Sequence, residues 1–298
     1  MSESSPRGGG LRDMVAAAFF FSVMSLLVKL AGQRLAAEQV VLFRAAVALV
    51  LSWGLLRRAG LSPWGKSRGL LFLRGLLGFF ALSCFFWALV HLPLAEATVI
   101  QYLNPVFTAL LAALVLGERL EWRATLSVVG SLGGLLLVAR PAFLFGGAQH
   151  LDPVASGVAL AGALFSAGAY VTVRRVGSGE HPLVVVFWFP LVATPLSLPL
   201  AFRVWQWPTP LEWLLLIGVG VATQVAQVFM THGLQKEPAA RATAVSYLQI
   251  VFAALWGALV LGEIPDALTL AGACLIIGST LLLLDWRKVL GAPGSGLR

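Results

Sequence analysis

Thr98, Gln101, Tyr102 and Asn104 stand together in one apolar run, and Thr243, Ser246, Tyr247 and Gln249 stand together in another. Hydroxyls, amides and phenols can hold a small polar solute by hydrogen bonds without reacting with it. On a helical wheel at about 100° per residue, each set falls on one arc, opposite Val99, Ile100, Leu103 and Phe107 or Ala244, Val245, Leu248 and Phe252. Polar groups at membrane depth are costly against lipid, so both arcs should face the bundle interior or a wet cavity. Interhelical hydrogen bonding that only joins helices is the competing reading. Pro105 lacks an N–H. It should kink its helix and free the carbonyl of Gln101, a suitable partner for an amine or amide.

Weaker polar stripes lie elsewhere. Ser22, Ser25 and Lys29 share a face, as do Ser83 with Trp87, Ser166 with Tyr170, and Gln224, Gln227 and Thr231. Trp87, Tyr102, Tyr170 and Tyr247 are expected to form an aromatic wall for a flat or cationic ligand. Lys29, Arg44 and Arg74 fall inside apolar segments, where charge marks either function or helix-holding contacts. Glu96 is the candidate for proton coupling, with a first-turn cap as the alternative. No H-E-x-x-H, nucleophile elbow or paired intramembrane aspartate occurs, and the four histidines are dispersed, so no enzyme, metal centre or cofactor is expected. Cys84 and Cys274 read as small core residues.

The elements that must position these groups are membrane helices. The chain has 298 residues, 59% hydrophobic and only 11% charged, against about 25% charged in a soluble domain. Ten apolar segments of about spanning length occur at 12–31, 39–56, 68–91, 95–116, 123–139, 153–173, 182–202, 211–234, 239–261 and 268–284. The net charge of +8 suits basic anchors at a membrane face rather than nucleic acid. Fifteen of the 21 Lys and Arg residues fall on the side of the termini, three (Arg34, Arg140 and Arg203) on the other side, and three within spans. Both termini are therefore expected in the cytoplasm. Trp64, Trp122, Trp205, Trp207, Trp213 and Trp286 lie near span ends as interfacial anchors.

The two polar runs belong to a duplication. Residues 95–118 and 240–263 align at a constant offset of 145, with 15 of 24 positions identical. Five spans per half is an odd number, so the halves should be inverted repeats, the geometric basis of alternating access. The predicted class is all-α integral membrane protein with ten transmembrane helices in two inverted five-helix repeats. The predicted division is a disordered cytoplasmic N-terminus (1–11), a first repeat (12–145), a second repeat (146–285) and a cytoplasmic tail (286–298). Ala109/Ala113, Ala253/Gly257 and Gly130/Gly134 have the spacing of close helix crossings, with the fourth and ninth helices crossing near the pseudo-twofold axis or mediating a dimer. Two departures from the repeat, Asn104-Pro105 against Gln249-Ile250 and Glu96 against Arg241, are the places where selectivity for an asymmetric ligand is expected.

Several motifs carry a family likeness: Leu92-Pro-Leu-Ala-Glu-Ala-Thr98, Asn104-Pro105-Val-Phe107, Leu116-Gly-Glu118, Leu261-Gly-Glu263, Leu73-Arg-Gly-Leu-Leu-Gly78, Phe86-Trp-Ala-Leu89 and Arg44. In this order the chain resembles the drug/metabolite transporter superfamily, specifically its ten-helix EamA-domain members, over about residues 12–285. The resemblance implies a carrier in the bacterial cytoplasmic (inner) membrane, as monomer or homodimer, acting on a small-molecule substrate. Such carriers often export amino acids, amines or drugs; similar members take up riboflavin or S-adenosylmethionine, so uptake of a nucleoside-like or flavin-like solute is the alternative. The expected site lies centrally, between the fourth and ninth helices.

Overall fold

The computed structural model describes residues 9–92, 94–146, 152–262 and 265–283. Among the described residues it is all helix: α1 (Gly9–Ala31), α2 (Ala37–Arg58), α3 (Arg68–His91), α4 (Leu94–Gln101), α5 (Asn104–Leu116), α6 (Trp122–Ala139), α7 (Ala142–Phe145), α8 (Pro153–Val176), α9 (Pro182–Arg203), α10 (Pro210–Lys236), α11 (Ala239–Ala244), α12 (Leu248–Val260) and α13 (Ala267–Leu281). Two short 3-10 turns complete the order. α4 with α5 and α11 with α12 each make one crossing, so nine long apolar segments are joined by the shorter α13 as the tenth. The helix begins at Gly9, so residues 9–11 are its first turn rather than disordered tail. Residues 1–8, Pro93, Glu263 and the tail at 286–298 lie outside the described residues.

Local signals start the helices where the chain must turn back into the bilayer. Proline occupies the first turn of α8, α9 and α10, where its missing N–H costs nothing. Asp152 accepts the Val154 N–H at 2.9 Å, and Thr209 with Glu212 forms a reciprocal capping box. Glu180 accepts the N–H groups of Lys66 and Ser67 at the start of α3, where a carboxylate meets the positive end of the helix dipole.

Helix packing repeats itself when the halves are exchanged. The two most extensive pairs, α1 with α10 and α3 with α8, are each other's counterparts under that exchange, as are α2 with α10 and α3 with α9. α2 packs on α9, and α6 on α13, so these pairs are their own counterparts. The match extends to single residues. A Cβ at Gly75 would fall 2.9 Å from Val192, and one at Gly220 would fall 2.4 Å from Val47. Gly220 is Gly75 shifted by 145, and Val192 is Val47 shifted by the same amount, so one contact occurs twice. α6 and α13 meet at Gly134 and Gly272, where a Cβ on either would lie 2.6 or 2.5 Å from the other's carbonyl. The fourth and ninth spans meet, α11 against α5, while α5 also packs on α8 and α12 on α1, and the close glycine crossing is made by α6 and α13.

Candidate substrate site

The repeated polar runs sit where two helices break. α4 ends at Gln101 and α5 starts at Asn104, with Pro105 in its first turn, so the proline lies at the break instead of kinking a continuous helix. The freed Gln101 carbonyl is not open to a ligand: the Asn104 side-chain amide donates to it at 2.9 Å. The second copy breaks at the aligned place without a proline, through the 3-10 turn Val245–Tyr247. There Thr243 Oγ1 donates to the Ala239 carbonyl at 2.9 Å and Ser246 Oγ to the Thr243 carbonyl at 2.6 Å. Hydroxyls bonded to their own backbone compete with the helical ladder.

The two breaks meet. Tyr247 Oη donates to the Tyr102 carbonyl at 2.7 Å, across 145 residues, and the two rings lie 5.7 Å apart. Tyr247 is fully buried in a cluster with Val99, Leu135, Ile250 and Ile276. The expected aromatic wall is therefore corrected. Tyr102 and Tyr247 close on each other, and Trp87 points away, 39% exposed and stacked on His91 at 3.8 Å. Thr243 and Ser246 spend their hydroxyls locally, Thr98 is half-buried, and Gln249 donates to Ser25 at 3.3 Å on the far side of the bundle.

Glu96 and Arg241, expected as points of selectivity, each engage backbone at a helix end, with Glu96 Oε2 and Arg241 Nε left buried without a hydrogen-bond partner. Glu96 is buried and accepts the Ala142 N–H at 2.7 Å, capping the short helix that follows α6. Arg241 donates to the Leu283 carbonyl just past α13. The same repeat position thus meets the N-terminal end of a helix in one half and the C-terminal end in the other, each with the charge that suits that end.

The other predicted residues converge elsewhere. Arg44 from α2 and Arg74 from α3 lie over one ring, Phe189 of α9, with guanidinium carbons 5.7 and 5.0 Å from its centroid. Both arginines are buried, with Tyr170 of α8 nearby. Arg74 donates to Gln227 Oε1 at 2.8 Å, and Ser52 donates to Gln224 Oε1 at 3.0 Å on the same face of α10. Gln101 donates to Ser166 at 3.0 Å, one turn from Tyr170 on α8. Gly78 makes room for this arrangement: a Cβ there would fall 2.8 Å from the Phe189 ring and 3.1 Å from Arg74 Nη1. Arg44 and Phe189 are themselves 145 apart, so a second pair of repeat mates touches near the pseudo-axis. Phe189 escaped sequence reasoning because a phenylalanine in an apolar helix gives no signal; only its place opposite Arg44 in the repeat register marks it.

Ion pairs join elements at both ends of the bundle. At one end Arg174 donates to Glu118 at 2.6 Å and to the Gln235 carbonyl at 3.0 Å, while Glu118 also accepts the Ala239 N–H at 2.8 Å, sealing α5, α8 and α11 together. At the end where α1 and α12 finish, a cavity of about 470 Å³ opens, lined by residues including Ser22, Ser25, Lys29, Trp256 and Thr269. That volume falls in the range of small-molecule sites. Among the described residues no cluster of His, Cys, Asp or Glu could hold a metal ion.

The EamA-like transporter family matches residues 11–140 and 155–285, nearly the whole chain in two blocks. The chain belongs to that family. An EamA-like transporter is a membrane carrier rather than an enzyme, in keeping with the architecture above. The chain is 37% identical over 280 residues to the pseudopaline exporter CntI of Pseudomonas aeruginosa, covering 94% of this chain and 97% of the relative. It is 30% identical to human solute carrier family 35 member G1, covering 92% and 78%. It is 28% identical to an S-adenosylmethionine uptake transporter of Rickettsia prowazekii, covering 90% and 89%. A crystal structure with 20% identity superposes with a TM-score of 0.81 over 96% of this chain and all of that one, which shows a shared fold.

Proposed function

We propose that this EamA-like transporter is a secondary carrier that moves a small metabolite across a bacterial cytoplasmic membrane by alternating access. Both termini face the cytoplasm, and the direction is export or exchange. The observation that carries this reading is the pair of contacts between repeat mates, Tyr102 with Tyr247 and Arg44 with Phe189. Inverted halves that touch on their own axis can exchange conformations. The pair Arg174–Glu118 then seals one end in one state and parts in the second. The basic residues crowd the Arg174 end, which supports placing the sealed end in the cytoplasm. The solute site is the cluster around Arg44, Arg74, Tyr170, Gln224 and Gln227, with Gln101 at its edge.

Export is favoured by the relative at 37% identity, which is named an exporter; uptake of a nucleoside-like solute is the second reading, favoured by the S-adenosylmethionine carrier at 28%. Counterflow in sealed proteoliposomes tests the proposal. Saturable accumulation of one class among amino acids, amines, organic acids, nucleosides and flavins is expected. A correctly folded protein that moves none of them overturns it. Cysteines at Gly117 and Gly262 are expected to label from opposite faces; labelling from one face overturns the inverted arrangement.

A further inference from the structure

The buried cluster around Phe189 contains two positive charges and more unpartnered donors than acceptors. Arg44 makes no hydrogen bond or ion pair with any described residue, and its Nε is buried without an acceptor. Arg74 has one side-chain acceptor, Gln227, and its Nε is equally unsatisfied. Gln224 and Gln227 both have their carbonyl oxygens occupied, by Ser52 and Arg74, which leaves their amide nitrogens as donors; Gln224 Nε2 is buried and unpartnered. Neither guanidinium forms an ion pair with a carboxylate among the described residues.

Arginines that hold this bundle together behave differently. Arg174 engages Glu118 and the Gln235 carbonyl, Arg140 engages Asp266 and Thr269, and Arg34 engages Glu212 and the Trp207 carbonyl. Each satisfies its charge from a neighbouring element. Arg44 and Arg74 rest instead on an aromatic face, which attracts a cation but accepts no strong hydrogen bond. A buried charge pair of one sign is costly until an opposite charge joins it. The planar fork of a guanidinium matches a carboxylate in a two-point contact.

We propose that Arg44 and Arg74 bind carboxylate groups of the transported solute, so that the cargo is an organic anion with at least one carboxylate. This rests on the carrier reading above and narrows it. A solute whose charge is only positive meets two guanidiniums here and is excluded. Gln224, Gln227 and Tyr170 supply further donors to the same anion.

The test is binding to purified protein in detergent, read by calorimetry and thermal shift. The probes are glutarate, citrate and nitrilotriacetate, with the neutral diamide glutaramide and sulfate as controls at equal ionic strength. At least one carboxylate is expected to bind and raise the melting temperature, with glutaramide and sulfate at least about ten-fold weaker. Arg44→Gln and Arg74→Gln are each expected to weaken that carboxylate at least about ten-fold. The wild-type comparison of acid against diamide needs no variant, so a folding defect in either substitution leaves the test intact. Equal binding of acid, diamide and sulfate, or no binding of any acid, overturns the proposal. Counterflow of a neutral or cationic solute that persists in both variants also overturns it while the carrier reading stands. Carboxylate binding without flux of any solute would retain the site and sink the carrier reading instead.

Discussion

The seam around Tyr102 and Tyr247 and the pocket around Arg44 and Arg74 both sit where repeat mates touch, yet they are built from opposite chemistry. In the seam the mates are identical residues, one hydroxyl is satisfied by one carbonyl, and the surroundings are aliphatic. In the pocket the mates differ, arginine against phenylalanine, and buried donors outnumber acceptors. Identity between the halves therefore marks what must fit in both conformations. Difference between them marks what must recognise something that is not symmetric. Glu96 and Arg241 differ as well, and their opposite charges contact opposite helix ends.

The contrast can be broken from either side. Removing charge from the pocket has the largest expected effect: Arg74→Gln should lower transport about 100-fold or more, by losing charge-assisted contacts and the positioning of Gln227. Initial rates in proteoliposomes check this, and near-normal rates would return Arg74 to a packing role. Next in size is a change at the crossing of α6 and α13. Gly134→Leu must displace the Gly272 carbonyl, and overpacking of this kind costs about 1–3 kcal/mol. A lowered melting temperature in detergent is the expected result; an unchanged one would refute the close crossing.

The third prediction separates structural from selective asymmetry. Glu96→Gln retains an acceptor for the Ala142 N–H and should cost about 1 kcal/mol or less, with the pH profile of transport unchanged. A profile that flattens would restore Glu96 as the proton-coupling group. The smallest effect lies outside the spans. Asp266 is held down to about 2 by the backbone N–H of Thr269 and then by Arg140. A depressed carboxyl stabilises the fold above its ordinary value near 4, and this is lost as pH falls through about 2. The melting-temperature gap between wild type and Asp266→Asn should therefore shrink across that window; a gap that widens on acidification would contradict the assignment.

Much of this architecture is legible in the residues. The 145-residue offset and the apolar segments expose ten helices and their duplication, and Pro105 marks the first helix break. The second break is not marked, because no proline stands at Ile250; it forms where Thr243 and Ser246 turn their hydroxyls onto their own backbone. The wheel places polar residues on one arc without saying what fills the space opposite. Thr243, Ser246 and Tyr247 thus looked ligand-facing when their partners are carbonyls of the protein. Arg44, Arg74, Gln224, Gln227 and Tyr170 could be named individually, but their convergence depends on how α2, α3, α8, α9 and α10 pack, which no local pattern reports.

The central claim, that the seam is scaffold and the pocket is recognition, is tested most directly by measuring solute affinity and melting temperature side by side in Tyr247→Phe and Arg74→Gln. Tyr247→Phe loses one buried hydrogen bond, worth about 1 kcal/mol, and should melt earlier with the solute Kd unchanged. Arg74→Gln should melt close to wild type and lose affinity at least about ten-fold. Lost affinity in Tyr247→Phe together with full affinity in Arg74→Gln would contradict the account.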